Sequence, residues 1–137
     1  MRFDDLVVGM TDEYSKMVTD KDIMMFAEIT GDFNRVHVDE VAAANTRFGG
    51  RIAHGMLSAG LISAAIANKL PGPGSIYLGQ TLKFTLPVRI GDTVNAKISV
   101  TEILPKRRVK LSTICTNQNG EKVIEGEATV MLDEANG

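Results

Sequence analysis

Apolar residues along this chain follow two rhythms. In residues 19–70 they recur at helical spacing, and in residues 75–132 they alternate with polar ones. Thr19, followed three positions later by Asp22, has the form of a helix start. Ile23, Met24, Phe26, Ala27 and Ile29 then carry a helical period, and Gly31 suits a left-handed stop. A second short helix is predicted over Asp39 to Thr46. From Ile52 to Asn68 the chain reads IAHGMLSAGLISAAIAN, without a single Asp, Glu, Lys or Arg. A helix with no charged face is expected to be buried on all sides. A membrane span would need about 20 predominantly apolar residues. This run is shorter and holds His54, Ser58, Ser63, Gly55 and Gly60. It is therefore read as a central helix wrapped by a sheet, with no membrane insertion.

The second half supplies that sheet. Ile76, Leu78, Leu82, Phe84, Leu86 and Val88 fall on even positions, with Tyr77, Thr81, Lys83, Thr85 and Arg89 between them. This period of two predicts a strand with one buried face. Gly91-Asp92 makes a turn, and Val94, Ala96, Ile98 and Val100 repeat the pattern. Pro105 to Arg108 turns again, Val109 to Thr116 forms a third strand, and Asn119-Gly120 signals a hairpin. Ile124, Ala128, Val130 and Leu132 mark a fourth strand, and Glu13 to Val18 offers a fifth. Short connections imply antiparallel pairing. The expected fold class is α+β, an antiparallel sheet around a buried central helix.

Composition narrows the function. The 137 residues suit a single domain spanning 1–137. With 44% hydrophobic residues and a net charge of −2, the chain is neither disordered nor a nucleic-acid binder relying on gross charge. One cysteine excludes a disulfide scaffold, and with only two histidines no Cys/His metal site is expected. Cys115 reads as a small apolar strand residue. Met1 to Met10 contain Asp4 and Asp5 and resemble neither a secretory signal nor a transit peptide, so a cytoplasmic location is expected.

Candidate chemistry concentrates between the first helix and the charge-free run. Thr30-Gly31-Asp32-Phe33-Asn34-Arg35-Val36-His37-Val38-Asp39 is followed by Phe48-Gly49-Gly50-Arg51-Ile52-Ala53-His54-Gly55-Met56-Leu57. A carboxylate and an imidazole close together can hold and activate one water. The start of a helix offers unpaired N–H groups to a developing oxyanion. Taken singly, Asp32 could also cap a helix or close a turn, and His37 could be a loop histidine. His54 is read as hydrogen-bonding backbone where the loop enters the helix, and Asn34 as fixing the loop. Ser63 could bond back to a helix carbonyl. Arg51, Lys83 and the Lys106–Arg108 turn are read as solvated surface charges, with contact to a ligand phosphate as the alternative.

Taken together, these residues resemble the signature of the MaoC-like (R)-specific enoyl-CoA hydratases, which have a hot-dog fold. The match runs through Gly31, Asp32, Asn34, His37 and Asp39, then Phe48, Gly49, Ile52, His54, Gly55, Met56 and Leu57. Leu82, Phe84, Pro87, Val88, Gly91, Asp92 and Val94 extend it into the strands. The resemblance implies that Asp32 and His37 form a catalytic pair and that the Gly55 N–H binds the thioester carbonyl. It gives Ser63 the position of a functionally implicated serine. It implies reversible hydration of trans-2-enoyl-CoA to (R)-3-hydroxyacyl-CoA, no cofactor, and a homodimer with the site near its interface. Arg35 stands where the family often has Pro. A 3-hydroxyacyl-ACP dehydratase runs the same chemistry on a carrier protein and remains an alternative. A thioesterase of the same fold would be expected to carry a carboxylate on the central helix, which residues 52–68 lack. A non-catalytic acyl-binding module would not need Asp32 and His37 together.

Overall fold

The computed structural model describes residues 1–133. Strand β1 (Thr11–Met17) leads into helix α1 (Asp20–Thr30), the short helices α2 (Arg35–Val38) and α3 (Glu40–Ala44), and the long helix α4 (Gly55–Asn68). Strands β2 (Ser75–Gln80), β3 (Lys83–Phe84), β4 (Thr93–Leu104), β5 (Arg108–Thr116) and β6 (Lys122–Leu132) follow. The sheet runs β1-β4-β5-β6-β2, with β3 also on β6, and the pairings are antiparallel.

Local signals account for α1. Thr19 Oγ1 accepts the Asp22 N–H and the Asp22 carboxylate accepts the Thr19 N–H, a reciprocal cap. The Lys16 ammonium, 2.8 Å from Asp22, holds its carboxyl below the ordinary 3.8. Gly31 closes the helix at φ 81°, a conformation that suits a residue without Cβ.

The core lies between α4 and the concave face of the sheet. Val94, Ala96, Ile98 and Val100 on β4 meet Val109, Leu111 and Cys115 on β5, then Ile124, Ala128, Val130 and Leu132 on β6. Leu57, Leu61, Ile62, Ala65 and Ile66 of α4 pack into this face. Each fully buried Leu, Ile or Val is worth about 1.5–3 kcal/mol. Cys115 is a buried strand residue, and burial pushes its thiol up to about 12.

Two expectations need correction. Helix α4 is buried along one face only, and Met56, Gly60, Ser63 and Ala67 are exposed on the other. The lack of charge on that second face does not come from contacts within this chain. The alternating run from Ile76 to Val88 is also not one strand with a buried face. β2 and β3 are separated at Thr81–Leu82, and a bulge lies between Tyr77 and Gly79. Ile76, Leu78, Phe84 and Leu86 are exposed, and only Val88 is buried. The break has a steric cause. The chain crosses β6 at Gly126, where a Cβ would lie 1.9 Å from the Thr81 carbonyl oxygen. Thr81 N–H donates to Glu127 O at 2.9 Å, and Glu127 N–H donates back to Thr81 Oγ1 at 3.0 Å.

Candidate active site

The loop from Thr30 to His54 is built by short-range bonds. Asp32 Oδ1 accepts the Asn34 N–H at 3.2 Å, so Asp32 does close a turn. Asn34 Oδ1 accepts the Val36 N–H at 3.4 Å and caps α2. Helix α2 was not predicted, since four residues leave no readable period. Arg35 occupies its first position, where Pro is favoured for its fixed φ. The Asn34 cap sets the turn without Pro. Asp39 caps α3 in the same way, accepting the Ala42 N–H at 3.0 Å. The predicted second helix is therefore real and ends by Ala44.

Longer bonds then fold the loop onto α4. Ile52 N–H donates to Val36 O at 3.1 Å, and Ala53 N–H donates to Val88 O at 2.7 Å. The half-buried His37 has Nδ1 2.8 Å from the Ile52 carbonyl oxygen. A carbonyl oxygen only accepts, so Nδ1 carries a proton, and in the neutral ring Nε2 then presents a lone pair. His54 Nε2 lies 3.0 Å from the Asp32 carbonyl oxygen and donates to it by the same logic. The reading of His54 as a backbone-binding residue matches this geometry. Its ring stacks on His37 with centroids 4.0 Å apart and meets Phe26 at 4.7 Å. Ligand-capable atoms of Asp32, His37 and His54 all lie within 4.8 Å of one another. His54 Nδ1 and Ser58 Oγ are buried without a hydrogen-bond partner.

Arg51 corrects the surface-charge and phosphate readings together. Its side chain is only 11% exposed. Nε–H donates to the His37 carbonyl at 2.6 Å, while Nη2 lies 2.6 Å from Asp20 Oδ1 and Nη1 3.9 Å from Glu40 Oε2. It braces the His37 backbone against α1 and α3. No spacing in the sequence signals this, because its partners come from separate helices. Lys83 is solvent-facing, 3.9 Å from Glu125. Arg107 Nε–H donates to Leu132 O in the turn after β4.

Gly55 opens α4 directly after the His54 cap, and first-turn N–H groups lack intrahelical partners. A Cβ on Gly55 would lie 2.6 Å from the Phe84 ring, so β3 packs where a side chain would stand. A cavity of about 380 Å³ opens here, lined by His37, His54, Gly55, Phe84, Leu86 and Val88 among others. Ser63 is not part of it. It faces a separate groove with Met56, Gly60, Tyr77 and Leu78.

This arrangement is similar to that of known proteins. The family described as MaoC like domain matches residues 8–134. The chain belongs to the MaoC-like family. The hot-dog fold implied by the sequence resemblance is its fold. The 3-hydroxybutyryl-CoA dehydratase of Methylorubrum extorquens is 50% identical over 131 residues, covering 95% of this chain and 83% of that protein. The (R)-specific enoyl-CoA hydratase of Rhodospirillum rubrum is 50% identical, covering 95% of this MaoC-like chain and 90% of the relative. The R-hydratase PhaJ1 from Pseudomonas aeruginosa superposes with a TM-score of 0.92 at 52% identity, covering 96% of this chain and 85% of that one. Among the described residues, no helix is long and apolar enough to cross a membrane.

Proposed function

We propose that this chain is a hydro-lyase that adds water reversibly to trans-2-enoyl-CoA, giving (R)-3-hydroxyacyl-CoA. The observation that carries the reading is the Asp32–His37 pair beside the first turn of α4, with His37 lining an apolar cavity. His37 Nε2 and the Asp32 carboxylate are both acceptors, which matches the two O–H bonds of a single water. Held this way, the water turns its lone pair toward the β-carbon of the enoyl thioester. As the C–O bond forms, His37 Nε2 takes one proton. The electron pair of the double bond moves toward the thioester oxygen, where the Gly55 N–H and the positive end of α4 receive the charge. The proton then returns from His37 to the α-carbon. Asn34, Arg51 and His54 keep the pair in place through backbone carbonyls and amides. The mechanism uses no cofactor. The matched span supports reading the chain as one hydratase domain, and the same reading takes its expected location as the cytoplasm.

The active form in this reading is a homodimer. At one edge of the sheet, β1 carries Asp12, Glu13 and Lys16, charges that discourage pairing. At the other edge, β2 reads SIYLGQ, uncharged, with Ile76, Tyr77 and Leu78 exposed. A second copy paired along β2 would continue the sheet and cover the open face of α4, placing Ser63 at the interface.

The test is hydration of crotonyl-CoA, followed by loss of the enoyl-thioester absorbance and chiral analysis of the product. Formation of (R)-3-hydroxybutyryl-CoA is expected. Release of free CoA would mean a thioesterase, and no reaction with CoA or carrier-protein substrates would mean a binding module.

A further inference from the structure

The Asp32–His37 chemistry leaves one feature of the cavity unused. Among the described residues lining it, Arg47 carries the only permanent charge, and no carboxylate lines it. Arg47 is exposed, so it stands at the rim, whereas His54 at the inner end is buried. Its guanidinium carbon lies 5.0 Å from the centroid of the Phe48 ring, which also lines the cavity. Contact with an aromatic face orients the guanidinium plane while its edge N–H groups stay free. No carboxylate pairs with Arg47 among the described residues, unlike Arg51 with Asp20 and Glu40. A second guanidinium, that of Arg89, comes near the same turn, with Nη1 3.8 Å from where a Gly50 Cβ would stand. Arg89 has no carboxylate partner among the described residues either.

The substrate chemistry supplies the complement. An enoyl thioester and its pantetheine arm are neutral and suit an apolar cavity. The phosphate at the far end of the arm is ionised and strongly hydrated, and it cannot enter such a cavity without a large desolvation penalty. It must therefore stay at the rim. Resting on the hydratase reading above, we infer that Arg47, preset on Phe48 and seconded by Arg89, is the phosphate-recognition site for the pantetheine carrier of the substrate. A planar guanidinium fork offers paired N–H donors to phosphate oxygens, which a lone ammonium does not. The site discriminates carriers by their phosphates and takes no part in bond making.

Three thioesters separate the possibilities: crotonyl-CoA, crotonyl-phosphopantetheine and crotonyl-pantetheine. Arg47→Ala is expected to raise KM for crotonyl-CoA roughly tenfold, the size of one charge-assisted hydrogen bond, with kcat close to wild type. KM for crotonyl-pantetheine should not move, and Arg47→Lys should recover only part of the loss. The rise of the wild-type KM with salt should flatten in Arg47→Ala. A Lys97→Ala variant on the outer face of β4 controls for net charge. A penalty kept with crotonyl-phosphopantetheine would assign Arg47 to the phosphate shared by CoA and carrier-protein substrates. A penalty seen only with crotonyl-CoA would assign it to the nucleotide phosphates. Equal losses with and without phosphate, or no change with crotonyl-CoA, would overturn the inference. Should the wild type hydrate none of the three, the hydratase reading fails. Calorimetric titration with free CoA then decides Arg47 alone: about tenfold weaker binding to Arg47→Ala supports the inference, and equal affinity overturns it.

Discussion

Over most of their length strands β4 to β6 bury alternate side chains in the core with α4, whereas the segment from Ser75 to Ile90 leaves Ile76, Leu78, Phe84 and Leu86 at 40–51% exposure. Both regions alternate apolar and polar residues with equal regularity. The difference lies in what stands opposite. The central strands face a helix of the same chain, and their side chains close around Ile62, Ala65 and Ile66. The 75–90 segment faces partly the cavity and partly the open stripe of α4. Most of its apolar side chains stay uncovered within the chain. One region holds the molecule together and the other helps wall the cavity onto which His37 and His54 open.

Separating the two functions by mutation is the strongest test of that division. His37→Ala and Asp32→Asn are each expected to lower kcat about 10²-fold or more, the usual loss for a general acid–base group. Thermal unfolding of both should stay near wild type, because neither side chain belongs to the core. A collapse of stability with the loss of activity would merge the two regions. The converse substitution lies in the sheet centre. Leu111→Ala, at a fully buried position, is expected to cost about 2–5 kcal/mol in denaturant unfolding. Its folded fraction should turn over normally.

Edge substitutions probe the other half of the comparison. If the proposed homodimer pairs along β2, Leu78→Lys places a charge on that strand and is expected to convert dimer to monomer in sedimentation velocity. The isolated chain should lose little stability, since Leu78 is already half exposed. The smallest effect is expected at the start of α1. Thr19→Ala removes one cap bond and should cost about 1 kcal/mol. The Asp22 carboxyl is held below its unfolded value, so its contribution is complete above about pH 4 and fades as acid protonates it. Asp22→Asn should flatten acid unfolding in that range and leave stability at neutral pH only slightly reduced. Neither change should affect KM, which urea titration and initial rates together would check.

Several parts of the site could be read in advance because their causes are local. The Thr19–Asp22 cap, the Gly31 stop and the Asn34 loop bond each lie within a few residues. The family resemblance paired Asp32 with His37, and the fold brings both side chains, together with His54, within reach of one another. Arg51 could not be read this way. Its charge looked solvated in a linear chain, yet it lies against Asp20, His37 and Glu40 from three different elements. Arg47 gave no signal either. Its value as a rim cation depends on Phe48 beside it and on a cavity lining that holds no Asp or Glu among the described residues.

By itself, the sequence determined the element order, the face of each central strand, the caps of α1 and the composition of the reactive loop. These follow from periodicity and short-range hydrogen bonding, which act along the chain. Only the tertiary structure decided three further matters. It gave His37 its tautomer, through a carbonyl fifteen residues away. It broke the 76–88 run at Gly126, where another strand's backbone passes too close for a side chain. It left one face of α4 open. An apolar pattern states that a surface must be covered, and only the packed molecule shows whether the cover is the chain itself, a substrate or a second copy.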